Sequence, residues 1–375
     1  MKLIIYKFLN KIPDFLRLFL IWRFCLFIIS YLAYLKIPHF SNIFFYNNLN
    51  PIITSWLIFD STWFLKISQL GYFDIKSTAF FPLWPLVIFN ISKILYFIDY
   101  RIVGFIVANV MSLLACWLFY DIVKSDYNEK IAYRSLKYFL FFPMSVFLGT
   151  AYSEPLFLLM TLLSFYFLKR KNYFFSGMCV LYASLTKPFG ILLAIPLIIE
   201  AKLKAKKIFD FKWLFLFLSL LGPVIYSLYL KISFDDPFIF LRAQNSPEWK
   251  AKIGLGSFIK LWQDIKILLS FQLLKYNYIE AIMTSGLFIF ILAVLILNRN
   301  KIKPAFFIYS LIILLLTLFT NSLSSFGRYA LLIFPFFIIL GILGKNKQFD
   351  EFITILFLLL LGFYTSYFIV GGFIG

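Results

Sequence analysis

One histidine and three cysteines occur in 375 residues, and only 14% of the chain is charged. His39 stands alone, and a single imidazole cannot build a metal centre. Cys25, Cys116 and Cys179 all fall inside apolar runs with no CxxC spacing, which excludes a disulfide framework, a zinc site and a redox pair. Acids are scarce too, 17 against 36 bases, for a net charge of +19. In a soluble chain that excess would suggest nucleic acid. Here the bases cluster in short segments between apolar runs, as orientation signals do, so no nucleic-acid role is read from them. There is no repeat at a solenoid period, no low-complexity linker and no soluble domain.

What is abundant is apolar and aromatic: 62% hydrophobic residues, 22% aromatic, mean hydropathy +0.89. Runs such as 279–297 and 352–370 are long enough to cross a hydrocarbon core of about 30 Å. The expected fold is all-α, a polytopic helical membrane protein with residues 1–375 forming one integral-membrane domain. Candidate spans lie at 15–35, 102–120, 136–151, 153–169, 174–186, 187–200, 213–231, 279–297, 304–320, 329–343 and 352–370. The basic N-terminal stretch has no small-residue cleavage site, so the first span reads as retained.

The stretch 80–97 is apolar enough to span, but Pro82, Pro85, Asn90 and Lys93 suit a re-entrant or interfacial helix as well. Charge decides. If 80–97 does not cross and the N-terminus is cytoplasmic, the short cytoplasmic segments hold 21 of the 36 bases. If it crosses, Lys124, Lys130, Arg134 and Lys137 move outside, against the positive-inside rule. The expectation is therefore about eleven spans in a prokaryotic plasma membrane, with the large extracytoplasmic loops at 36–101 and 232–278.

Several polar turns then converge on the outer side, as an interfacial site requires. The first loop carries Asp60 in Ile58-Phe59-Asp60-Ser61-Thr62-Trp63-Phe64, a carboxylate among apolar neighbours at the membrane edge. Such an acid can take a proton from an attacking hydroxyl, which makes it the candidate catalytic base. The competing role is capping of the helix that follows. The turn Gly149–Pro155 offers Tyr152 and Glu154, although a carboxylate there also suits a helix start. Lys187 and Arg328 sit at span mouths where positive charge has no orientation role. Either could hold a phosphate, or could snorkel to lipid headgroups. In the third loop Arg242, Gln244 and Trp249 together suit a sugar: polar groups for its hydroxyls and an aromatic face for its C–H side.

Taken together these stretches resemble the PIG-V mannosyltransferases and their prokaryotic relatives. The resemblance rests on FDSTWFLKISQLGY followed by AFFPLWPL, on FFPMSVFLGTAYSEPLF, on DDPFIFLRAQ and on GRYALLIFPFF, in family order across residues 57–337. It implies a GT-C bundle whose first extracytoplasmic loop supplies the catalytic acid. It also implies inverting transfer of a hexose, in this family mannose, from a polyprenyl-phosphate donor to a glycan or glycolipid acceptor. Carried over by position, Asp60 is the base, with Glu154 in the A-Y-S-E turn and Arg328 in the R-Y position. Three departures stand out: Phe59 where the family has tryptophan, Ser61 where it has glycine or alanine, and Thr186-Lys187-Pro188-Phe189-Gly190 where eukaryotic members have an Arg-Ser-Asn-Gly-like run. No cofactor is indicated, and one carboxylate without a D-x-D pair is a poor clamp for a divalent metal. The rival function is a lipid-linked sugar flippase or transporter, which would show related halves; the acid-bearing loop has no counterpart later in the chain.

Overall fold

The computed structural model describes residues 12–40, 49–204, 211–244, 254, 256–270, 280–319, 323 and 325–374. No strand occurs among them, as an all-α chain requires. The first half comprises α1 (Asp14–Lys36), α2 (Pro51–Thr54), α3 (Asp60–Leu70), α4 (Leu83–Ile94), α5 (Tyr100–Asp126), α6 (Glu129–Phe141), α7 (Glu154–Lys169), α8 (Tyr173–Thr186) and α9 (Ala194–Lys204). The second comprises α10 (Leu221–Phe234), α11 (Ile239–Gln244), α12 (Gly256–Leu269), α13 (Leu287–Leu297), α14 (Pro304–Leu318), α15 (Phe326–Ala330), α16 (Phe334–Leu343) and α17 (Lys347–Ile369). Among the described residues four helices are long and apolar enough to cross a bilayer: α1, α5, the continuous Lys212–Phe234 and α17. Shorter apolar helices, including α4, α8, α14 and α16, fill the space between them.

Helix ends follow local chemistry. Asp99 accepts a hydrogen bond from Arg101 N–H at the start of α5, and Asn128, Asn172 and Asn346 cap α6, α8 and α17 in the same way. Proline sets the breaks. The apolar run 136–151 does not form one helix, because Pro143 forces Phe142 into extended backbone and ends α6 at Phe141. A 3-10 turn, Ser145–Leu148, carries the chain on from there. The run 329–343 is likewise broken at Leu331–Ile333, ahead of Pro335 near the start of α16, and 187–200 divides into a 3-10 segment, Pro188–Leu193, and α9.

Ion pairs gather one end of the bundle. Asp126 at the end of α5 binds Lys169 at the end of α7 and Lys303 just before α14. Lys137 Nζ and the Tyr138 hydroxyl both reach Asp350 at the start of α17, each at 2.5 Å. Asp14 lines a surface hollow with Glu129, Lys130, Lys345 and Lys347, so the start of α1 lies at this end too. Aromatic packing fills the middle, with Phe119, Phe139, Phe165, Phe306 and Phe334 in edge-on or tilted contact at centroid distances of 5.1–6.2 Å.

At the opposite end the first loop docks onto the Gly149–Glu154 turn. Trp84, fully buried, donates its indole N–H to the Ala151 carbonyl at 2.9 Å, and Ser112 of α5 donates to Leu148 O at 2.6 Å. Tyr226 of α10 donates to Thr78 O at 2.7 Å and holds the chain just before Phe80-Phe81-Pro82. The aromatic and proline residues of that motif thus seat the loop carrying Asp60 on the bundle.

Candidate active site

Asp60 is the first residue of α3, where its charge meets the positive end of the helix. Its carboxylate makes no cap hydrogen bond: the residue in the N-cap position is Phe59, so the capping role does not account for the acid. Phe59 has φ 55° and ψ −124°, a backbone state that costs a non-glycine residue about 1–3 kcal/mol. The rings of Phe368 and Phe373, at 5.8 and 5.5 Å, hold it there. The strain turns the chain so that Asp60 faces inward.

Asp60 Oδ2 is bound by Arg328 Nη1, and its other oxygen has no hydrogen-bond partner among the described residues. Arg328 Nε lies 3.2 Å from Glu154 Oε1, and the same oxygen accepts from Lys187 Nζ at 3.0 Å. Four charges therefore form a line, Asp60–Arg328–Glu154–Lys187, with two of each sign. Glu154 is fully buried as the first residue of α7, and its Oε2 has no hydrogen-bond partner among the described residues. Burial alone would lower the proton affinity of Arg328, but the carboxylates of Asp60 and Glu154 outweigh it and hold the guanidinium well above its ordinary range.

Tyr152 lies behind the line. Its hydroxyl accepts a long hydrogen bond, 3.4 Å, from the Asp60 backbone N–H, and its ring faces the Arg328 guanidinium at 5.4 Å. Lys187 follows the last residue of α8 in extended backbone, and Gly190 lets its loop close against that helix. A Cβ on Gly190 would come within 2.5 Å of the Ala183 backbone.

The line opens into a cavity of about 540 Å³. Asp60, Lys187, Gln244 and Arg328 line it, together with Ser153 and Thr186. Its remaining wall is mostly apolar, with Phe80 and Phe81 from the first loop, Phe240 and Leu241 from α11, and Ile313 and Leu316 from α14. No cluster of three or more metal-ligating side chains occurs among the described residues.

Of the residues singled out from sequence, the fold brings together Asp60, Tyr152, Glu154, Lys187, Gln244 and Arg328. Arg242 stays apart: it is exposed and pairs with Asp236 within its own loop. The Phe238 backbone N–H, with Arg242 beside it, holds the Asp236 carboxyl below its usual range. Trp249 lies outside the described residues. Sequence reasoning missed the joint grip of Arg328 and Lys187 on Glu154, and the cavity positions of Ser153 and Thr186. Ser153 and Thr186 adjoin residues already chosen, which was the only available signal.

The sequence model of the family described as Mannosyltransferase (PIG-V) matches residues 2–206, a stretch that contains Asp60, Tyr152, Glu154 and Lys187. An alignment 137 positions long, covering 34% of this chain and 28% of the relative's length, is 24% identical to GPI mannosyltransferase 2 of Schizosaccharomyces pombe. With the match extending over more than half its residues, the chain belongs to the PIG-V mannosyltransferase family.

Proposed function

We propose that this protein is an inverting GT-C glycosyltransferase that moves a hexose, mannose, from a polyprenyl-phosphate donor to an extracytoplasmic glycan or glycolipid acceptor. The observation that carries the reading is the state of Asp60. It is a cavity-lining carboxylate with one oxygen on Arg328 and the other without a hydrogen-bond partner among the described residues. The acceptor hydroxyl attacks C1 of the donor sugar from the face opposite the phosphate, and the free Asp60 oxygen takes its proton. The C1–O bond to phosphate breaks with its electron pair on the leaving oxygen, releasing the polyprenyl phosphate.

The order of the four charges suits this division. Lys187 is the cation farthest along the line from Asp60, so the leaving phosphate belongs at the Lys187 end and the acceptor at the Asp60 end. Arg328 lies between them, oriented by both acids, and stabilises the charge that develops. Glu154 is buried and does not line the cavity, so among the described residues Asp60 is the one carboxylate that faces it; a retaining mechanism would need two. The apolar wall formed by Phe240, Leu241, Ile313 and Leu316 suits a lipid chain, and Gln244 suits a sugar hydroxyl.

The proposed setting is the plasma membrane of a prokaryote, with about eleven spans and α4 lying in the outer interface. The gathering of Asp14, Asp126, Lys169, Lys303 and Asp350 at one end supports an even number of crossings between α1 and α5 inclusive. The test is transfer by the purified protein from a short-chain polyprenyl-phosphate mannose, with the anomeric configuration of donor and product read by NMR. Inversion, lost in Asp60→Asn, is expected. Retention of configuration, or no transfer to any glycan acceptor, overturns the reading.

A further inference from the structure

We propose a second binding site, the hollow around Arg23 of α1, which takes the phosphate headgroup of a net-anionic membrane phospholipid. It is separate from the Asp60 cavity and does not depend on the transfer reaction.

Arg23 lies within a span yet has no acid beside it. Of the 17 acids only Asp210 and Glu248 fall outside the described residues, and none of the others pairs with Arg23. The guanidinium packs on the rings of Trp56, at 4.4 Å, and Phe105, at 5.0 Å, which touch each other with centroids 6.2 Å apart. Among the described residues its one hydrogen bond is weak, from Nη2 to the Gly149 carbonyl at 3.5 Å, and the buried Nη1 has no partner. A guanidinium keeps its charge, and a buried charge without a counter-ion is costly in a bilayer.

The surroundings identify the missing partner. Arg23 opens into a hollow of about 400 Å³ whose other walls are apolar, among them Ile53, Phe24 and Phe27. Phe24 and Phe27 are 64% and 54% exposed on the outward face of α1, where lipid chains run. An occupant must be anionic at one end and apolar along the other, and a phospholipid has that form. Its phosphodiester matches the guanidinium fork, whereas a zwitterionic head brings its own cation to the site. Gly149 makes the room: a Cβ there would lie 2.4 Å from Arg23 Nη1. Because Gly149 leads into the turn bearing Tyr152 and Glu154, a lipid on Arg23 braces one flank of the active-site floor.

The test uses the full chain in phosphatidylcholine nanodiscs with and without phosphatidylglycerol, read by melting temperature and by native mass spectrometry. Phosphatidylglycerol should raise the wild-type melting temperature, and the wild type should retain one more such lipid than Arg23→Gln. Ile53→Trp keeps the cation but fills the hollow, and should lose the same lipid and most of the same increment. If Arg23→Gln folds and shows the wild-type increment and lipid count, the guanidinium serves only its two rings and the proposal fails. If Arg23→Gln does not fold, Ile53→Trp alone decides, and a wild-type response there overturns the proposal. Loss of the extra lipid in Lys345→Gln, but not in Arg23→Gln, would assign it to the basic end of the bundle and also overturn it.

Discussion

The guanidinium of Arg328 binds the carboxylate of Asp60 across 268 residues of sequence, joining the first loop to the last third of the chain. One contact therefore orients the proposed base, whose second oxygen has no hydrogen-bond partner among the described residues.

Asp60→Asn keeps the shape of that contact but removes the basicity. The variant should fold and insert, while turnover falls by about 10²–10⁴-fold, the usual worth of general-base catalysis. A purified variant that keeps more than about a tenth of wild-type turnover would remove Asp60 from the role of base.

Arg328→Lys keeps a charge but cannot reach Asp60 and Glu154 together, so slowed turnover with partial donor affinity is expected. Arg328→Ala should lose about 2–4 kcal/mol in kcat/KM and also lower the melting temperature, since it strands Asp60 and leaves Glu154 with Lys187 alone. Titration with a non-hydrolysable polyprenyl-phosphonate sugar provides the check. Equal affinities in all three proteins would dismiss Arg328 from the donor site.

Lys187→Met leaves the line with two acids and one cation. Lys187→Met combined with Glu154→Gln restores neutrality as an Asp60–Arg328 pair, so the double variant should melt higher than Lys187→Met alone. A coupling of about 0.5–3 kcal/mol is expected for neighbours of this kind. Additive effects in the four-protein cycle would mean that the Glu154–Lys187 contact contributes little.

Gly190→Ala forces a methyl group against the Ala183 backbone, where no flexible side chain can give way. The loop bearing Lys187 must shift, at about 1–3 kcal/mol of stability. Donor KM should rise more than that of an acceptor. Unchanged donor KM would show that the loop absorbs the methyl group without moving Lys187.

Membrane sidedness is open to a chemical check in a Cys25→Ser background. A cysteine at Asn128 should resist an impermeant thiol reagent added to intact cells, and one at the exposed Tyr96 should react. Labelling at Asn128 would mean that α4 crosses.

Much of the fold is legible in the sequence because hydropathy reports burial in lipid directly. The runs 153–169, 174–186 and 304–320 became helices Glu154–Lys169, Tyr173–Thr186 and Pro304–Leu318 with small shifts at their ends. The runs 136–151, 187–200 and 329–343 are not single helices: hydropathy counts Pro143, Pro188 and Pro335 as tolerable, whereas the backbone breaks beside them. Choosing Asp60, Glu154, Lys187 and Arg328 was possible because charge is rare in such a chain and expensive where it occurs. Their pairing was not, since it depends on which helices are neighbours. Arg242 shows the converse: its position in a motif singled it out, and the nearby Asp236 holds it elsewhere.

The four charges come from four distant segments, and the chain is made from its N-terminus onward. Asp60 is synthesised 268 residues ahead of the cation that holds it. Glu154 meets Lys187 only 33 residues after it is made, but Asp60 waits throughout that interval without its cation. Arrival of Arg328 is thus the event that completes the line, and a nascent chain lacking it differs from a finished one by a single unmatched carboxylate.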